Sequence, residues 1–338
     1  MANLKWDAVD EYFSGQGVVL VGTRDSLGSP AGLLAVGNVS SLKITNAATT
    51  LEHKESHTGI RGTDKRIVTD LKVGVSMVGE NFSAANLATV LQGTNTKTVG
   101  TSVTGEAIKA YPGAVTPLAR IKVAAVVPKI NSVTMTGYVN DATAWDYKEN
   151  DDAGSLFWND GSVTAQDKLG FVASAVTVGA TTQITLPSTT GIVVGGTITG
   201  RGFTGANAAD LNNVVATVTA VTPTIVTVAV NSTAHVITVT GTTYVVWAGM
   251  AATADYTFST QYKVAGLATG AAELYMRFEG LNTANNNSPV IIEIYRFSTD
   301  PAKELDMISD GIQSFTLDGS VLADPLHSDS QYYRVTKL

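Results

Sequence analysis

Leu71-Lys72-Val73-Gly74-Val75-Ser76-Met77 sets a large apolar side chain against a small or polar one at every step. Successive side chains of an extended chain point to opposite faces. This spacing therefore puts Leu71, Val73, Val75 and Met77 on one side of a pleat and leaves the other side wet. The run reads as the centre of a strand from Arg66 to Val78, in an antiparallel sheet with one buried face. Outward from it the same grammar continues, with short β-branched and aromatic runs separated by Gly, Asn, Asp and Pro. Further strands are expected from Val18 to Thr23, Ser41 to Thr45, Ala119 to Val127, Ser132 to Val139, Asp255 to Val264, Glu273 to Glu279, Val290 to Phe297, Ile312 to Leu317 and Tyr332 to Thr336. The expected fold class is mainly β.

One helix interrupts this background. From Ser83 to Gln92, Ala84, Leu87, Ala88 and Leu91 recur at i, i+3, i+4 and i+7 and make an apolar stripe that suits packing on a sheet. Asn81 or Ser83 can accept from the free N–H groups of its first turn, and Gly93 can take the left-handed conformation that closes the last. A second, shorter helix is expected from Pro301 to Ile308. Asp300 could cap it, Pro301 suits its first position, and Leu305 and Ile308 would share a face.

Residues 171–249 carry only two charged side chains, Arg201 and Asp210, in a chain with 22 Lys and Arg and 29 Asp and Glu. Their strands alternate Thr or Ala with Val or Ile and are joined by Gly-Gly, Pro-Thr and Asn-Ser turns. So sharp a change of composition predicts a separately folding unit, a small Ig-like β-sandwich inserted into a host domain made of residues 1–170 and 250–338.

The bulk composition restricts function. A net charge of −7 argues against a surface that grips nucleic acid by neutralising phosphate, yet suits a wall past which DNA slides. With no cysteine, neither disulfides nor thiolate metal sites can hold the fold. Met1 to Asp7 lacks a basic segment followed by an apolar run, and no stretch has the uninterrupted apolar length of a membrane span. The expectation is a soluble protein without a secretory signal or membrane insertion.

Candidate chemistry is sparse. Gly200-Arg201-Gly202-Phe203-Thr204-Gly205 fits the spacing of a dinucleotide loop, but no long helix follows and no acid lies about 20 residues on to hold a ribose, so a turn is the better reading. His53 and His57, with Glu52 and Glu55, lack the order of a zinc protease helix. Asp146, Glu149, Asp151 and Asp152 lack the alternate ligands, central Gly and distal Glu of a calcium loop, and read as a turn between strands. There is no G-x-S-x-G elbow, Walker loop or cysteine nucleophile. No catalytic residue, metal or cofactor is expected, and the chain reads as no enzyme.

The last third is more specific. Leu274-Tyr275-Met276-Arg277-Phe278-Glu279-Gly280-Leu281-Asn282-Thr283 precedes Pro289-Val290-Ile291-Ile292-Glu293-Ile294-Tyr295-Arg296-Phe297, then Asp300-Pro301-Ala302-Lys303-Glu304-Leu305 and Leu322-Ala323-Asp324-Pro325. This order of strand, Asn-rich turn, strand, short helix and closing strands resembles the major tail tube proteins of long-tailed bacteriophages. Leu51-Glu52-His53-Lys54-Glu55-Ser56, with Gly59 and Arg61, resembles the long loop before a core strand in that family. The helix from Ser83 to Gln92 resembles its one packed helix.

The resemblance implies a tail-tube β-sandwich or barrel and a structural virion protein made in the cytoplasm of an infected bacterium. Its copies would form hexameric rings, stacked into a hollow tube that conducts the genome. Leu51, Glu52, His53, Lys54, Glu55, Arg61 and Arg66 would form an inter-ring loop that orders on stacking, and the chain termini would reach the neighbouring ring. Partners would be further copies of the chain, tape measure and tail-tip or terminator proteins, with DNA in transient passage. The inserted unit would project outward. The rival expectation is a secreted β-rich adhesin or carbohydrate-binding module.

Overall fold

The computed structural model describes residues 12–57, 59, 61–140, 143–159 and 169–337. Met1 to Asp7 and the extreme C-terminal residue lie outside that range. The chain divides into two compact units, residues 1–97 with 262–338 and residues 98–261. It is mainly β, and among the described residues it has one α-helix. No helix among them is long and apolar enough to cross a membrane.

The first unit is an eight-stranded antiparallel sheet. It begins with β1 (Gly15–Arg24), β2 (Pro30–Ala35), β3 (Val39–Lys54) and β4 (Thr63–Gly79). Across the sheet the order is β2, β1, Glu273–Asn282, Ser288–Thr299, Phe315–Val321, β4 and β3, and Tyr333–Lys337 pairs with Ser288–Thr299. The expected strand around Leu71 is β4, and its alternation sets the core: Val73, Val75 and Met77 are buried while Gly74, Ser76 and Val78 are half-buried. Phe297, Phe315 and Leu317 from the closing strands pack into the same core. Gly319 marks a tight crossing there. A Cβ on it would sit 2.2 Å from the Ser298 carbonyl oxygen and 2.6 Å from the Phe297 ring.

The helix forms as α1 (Ala84–Val90), and the Ser83 hydroxyl accepts from the Asn86 N–H at 3.2 Å as an N-cap should. Its stop differs from expectation. The left-handed residue is Gln92, with φ 46°, and Gly93 serves a different need. A Cβ at Gly93 would lie 2.4 Å from the Ala265 carbonyl oxygen, so a glycine is required there by close backbone approach.

The second expected helix, Pro301 to Ile308, is absent: residues 300–314 contain neither helix nor strand. The backbone N–H groups of Asp300 and Ala302 are committed to Asp318 and Val90, and Ala302 and Leu305 cover the core while Met307 and Ile308 stay in solvent. Eight residues without a continuous packed stripe are too short to hold a helix.

The second unit contains three sheets. The charge-poor strands form a seven-stranded sheet in the order Phe171–Val172, Tyr244–Trp247, Thr197–Arg201, Val215–Val221, Ile225–Val228, Thr182–Thr185 and Ala175–Thr177. Every pairing partner lies within the charge-poor stretch. Its core does not stop there. Ile184, Ile198 and Val226 belong to one buried cluster with Ile130, Leu156, Trp158 and Met250. Those last residues come from a four-stranded sheet, in which Met250–Phe258 lies between Ser102–Ala110 and Val123–Ile130, and from a three-stranded sheet around Ser155–Trp158. The compact unit is thus wider than the charge-poor insert: residues 98–170 and 250–261, assigned from composition to the host, fold with it. Surface charge marks where composition changes, whereas shared burial decides what folds together.

Several shorter expectations also shift. The stretch from Ser132 to Val139 is a strand only at Val133–Thr134. Gly200 to Gly205 ends a strand and turns, followed by one 3-10 turn at Ala208–Asp210. Asp151 and Asp152 lie in the turn between Tyr147–Asn150 and Ser155–Trp158, and buried Asp146 accepts from the Thr136 and Leu169 N–H groups at 2.7 and 2.9 Å.

Candidate functional site

β4 is 17 residues long, far more than the seven-residue strand Phe315–Val321 on one side of it can cover. Its register with Phe315–Val321 runs from Phe315↔Gly79 to Val321↔Val73 and stops. Beyond Val73, residues Thr63–Lys72 pair with β3 alone, and all ten are exposed. At about 3.3 Å per residue this free length extends about 33 Å. Among the described residues β3 has no other neighbour either, so the pair leaves the sheet as a two-stranded arm. At its base the Asn46 amide donates to the Tyr333 hydroxyl at 2.9 Å, and a groove of about 430 Å³ between Ala47, Leu71, Tyr332 and Tyr333 separates arm from C-terminal strand.

Register explains both faces of the arm. Ala48 lies opposite Leu71 and Thr50 opposite Val68, while Thr69 is the extra residue of a bulge and donates its hydroxyl to the Thr49 carbonyl at 3.1 Å. Leu71 and Val68 therefore continue the face that Val73, Val75 and Met77 bury. They continue it into solvent, at 56% and 54% exposure. On the opposite face Leu51 pairs with Ile67, again bare, with Leu51 60% exposed. Each face of the arm thus carries an uncovered apolar pair.

All the sequence-predicted site residues fall on this arm. Leu51, Glu52, His53 and Lys54 lie on the outgoing strand, Glu55 and Arg61 in the tip, and Arg66 on the return strand directly opposite Glu52. The expected loop is instead a paired hairpin, because Thr49-Thr50-Leu51 and Ile67-Val68-Thr69 are good strand formers that find each other across a short tip. The tip is tied by the Glu55 N–H to the Gly62 carbonyl at 2.9 Å and by the His57 N–H to the Glu55 carboxylate at 2.9 Å, with Arg61 left-handed at φ 53°. His53 Nδ1 meets the Asp64 carboxylate at 2.7 Å. Exposed ion contacts of this kind contribute at most about 1 kcal/mol.

Sequence reading missed Ile67, Val68 and Leu71 as site residues. The signal was length: a strand pattern running back from Val78 through Arg66 exceeds what a single sheet neighbour of seven residues covers.

The sheet behind the arm is held by buried charge. Glu293 accepts from Arg277 at 2.9 Å, Arg334 at 2.6 Å and the Tyr275 hydroxyl at 3.0 Å. Burial alone would raise its pKa, but the hydrogen bonds from Arg334 and Tyr275 and the two guanidiniums outweigh burial and hold it below the ordinary value of 4.5. The pair clamps the C-terminal strand to Ser288–Thr299. Arg24 bridges Asp324 and Glu273 beside it, and Arg296 also bonds Glu273, at 2.7 Å.

The chain matches the family described as "Protein of unknown function UCP028589" over residues 12–182 and 168–336, and it belongs to that family. The matched segments run through both units, including the charge-poor stretch. No curated protein matches the chain.

Proposed function

We propose that this member of the UCP028589 family is a structural subunit of a bacteriophage tail tube. Copies close into rings, the rings stack through the arm, and the hollow stack conducts the genome. The observation that carries this reading is the arm itself, ten residues of β4 and their β3 partners extended beyond the core with apolar pairs bare on both faces. An isolated globular protein gains nothing from such an element. Exposed strand edges and apolar faces invite association, and a subunit whose working state is an assembly uses both.

The sheet supports ring closure in the same way. β2 and β3 are its two end strands, each with one unpaired edge, and pairing these two edges between neighbouring copies would close a ring. A head-to-tail contact that does not close on itself propagates along an axis, as a tube requires. A net charge of −7 suits a bore that does not retain phosphate. On this reading the protein resides in the virion and meets tape measure, terminator and tail-tip proteins, with DNA in passage and no cofactor.

The rival, a carbohydrate-binding module, has one observation in its favour. An open groove of about 1140 Å³ in the second unit is lined by Lys109, Lys129, Asn131, Ser188 and Thr190. Electron microscopy of the purified chain separates the two readings. Hollow filaments or ring stacks of uniform diameter are expected; monodisperse monomers at high concentration would refute the tube.

A further inference from the structure

The arm needs a surface to meet, and the topology of the first unit puts a complementary one at the far end of the same strand. β4 enters from the arm at Thr63 and leaves the sheet at Gly79, where it pairs with Phe315. The connection from Thr299 to Phe315 therefore lies at the end opposite the arm. That connection is the segment in which the expected helix does not form.

Its side chains are unusual for a free connection. Ile308 is 96% exposed and Ile312 86%, and Met307 is exposed as well. Asp300, Glu304, Asp306 and Asp310 stand against Lys303 alone, a net charge of −3 over residues 300–312. Residues 61–66 of the arm have the opposite balance: Arg61, Lys65 and Arg66 against Asp64, a net of +2. Among the described residues neither Arg61, Lys65 nor Arg66 has a carboxylate within ion-pair distance, and neither Glu304, Asp306 nor Asp310 has a cation. Each surface offers bare apolar side chains, and the net charges of residues 61–66 and 300–312 are opposite in sign.

We propose that the arm of one copy docks on residues 300–312 of the next copy. Val68 and Leu71 cover Ile308 and Ile312, and Arg61, Lys65 and Arg66 face Glu304, Asp306 and Asp310. Because donor and acceptor surfaces sit at opposite ends of β4, the contact is heterologous and repeats along the strand direction without closing. It accounts for two features together: the uncovered end of a long strand and the irregular connection with bare apolar side chains. The inference rests on the tube reading only for what the copies build. The contact itself is tested separately.

The absence of cysteine makes the test clean. In a chain carrying both Val68→Cys and Ile308→Cys, oxidation at assembly concentration is expected to give a ladder of covalent dimers, trimers and longer species, since each copy offers one donor and one acceptor. Either substitution alone, or Val68→Cys with Leu27→Cys as the exposed control, is expected to stop at dimers or give no species at all. A ladder equally strong with Leu27→Cys, or none with Ile308→Cys, overturns the proposal.

Charge reversal supplies a second readout. Lys65→Glu with Arg66→Glu, or Asp306→Lys with Asp310→Lys, is expected to raise the concentration needed for elongation at least tenfold, and the four changes together to restore it. If the native chain elongates and the acceptor reversal changes nothing, the docking site is wrong while the tube stands. If the native chain does not elongate and the chain with Val68→Cys and Ile308→Cys gives no ladder, both fall.

Discussion

The arm and the core share one face of one strand, so substitutions on either side of Val73 separate their roles. Val68→Thr with Leu71→Thr keeps strand propensity at Val68 and removes apolar surface that the isolated chain leaves 54% and 56% exposed. Substitutions at such sites change folded stability by no more than about 0.5 kcal/mol. Met77→Ala, six residues on along the same face and 0% exposed, removes packed volume and is expected to cost about 2–5 kcal/mol. Assembly should invert the ranking. Full burial of a Val or Leu side chain contributes about 1.5–3 kcal/mol, and roughly half remains to be gained at each arm position, about 2 kcal/mol for the pair. At about 1.4 kcal/mol per tenfold, the assembly threshold of the double Thr variant should rise about 30-fold. Urea unfolding followed by circular dichroism reads the first quantity, and sedimentation against concentration reads the second. If the double Thr variant loses as much folded stability as Met77→Ala, the arm is packed in the isolated chain. If its threshold is unchanged, the arm makes no contact between copies.

Other perturbations test other parts of the argument. Excising residues 98–261 and joining Lys97 to Tyr262 by a short flexible link is expected to leave the eight-stranded sheet folded. Removing only 171–249 strips Ile130, Leu156, Trp158 and Met250 of their cover and is expected to give insoluble protein; soluble, cooperatively folded material from the second deletion would contradict the shared core. The depressed Glu293 pKa contributes stability that is fully present above its unfolded value of 4.5 and lost as pH falls through the lower folded value. The urea midpoint of the native chain should therefore exceed that of Glu293→Gln at pH 7, and the gap should shrink below pH 4.5; a gap constant from pH 7 to 3 would refute the charge argument. Gly319→Ala, with its Cβ forced to 2.2 Å from the Ser298 carbonyl oxygen, should destabilise the first unit by more than about 2 kcal/mol, read as a lower urea midpoint.

How much of this was legible in the sequence depends on the length scale of the signal. The period-two pattern through Val73, Val75 and Met77 and the Ser83 cap are local, and both elements stand where local chemistry puts them. The boundary of the second unit is not local. Trp158 and Met250 lie on either side of the charge-poor stretch and bury with it, and nothing in their neighbours' composition records a partner distant in sequence. The stretch from Pro301 to Ile308 has a capping residue, a helix-starting proline and a spaced apolar pair, yet only Ala302 and Leu305 find cover while Ile308 stays in solvent, so the pair packs no stripe. The candidate site was half legible. Its charged residues, from Glu52 to Arg66, stood out, whereas Val68 and Leu71 looked like any core strand, because exposure depends on where the neighbouring strand ends and that is set by Val321.

A bare two-stranded arm is also a hazard, and the distribution of its charges bears on how it is tolerated. Unpaired edges with apolar side chains template indiscriminate strand addition, and charged residues along the edge are the usual defence. Here the apolar pairs are short. Leu51 is followed by Glu52, His53 and Lys54; Ile67 and Val68 are preceded by Asp64, Lys65 and Arg66; Leu71 sits between Asp70 and Lys72. Another arm added edge to edge out of register would set charge against apolar surface or like charge against like, each of which costs free energy. A surface that offers apolar side chains framed by acidic ones meets both demands at once. Selectivity for an acidic-framed acceptor and resistance to random strand pairing are therefore two consequences of the same charge pattern, and neutralising Lys65 and Arg66 should weaken ordered stacking while promoting amorphous aggregation.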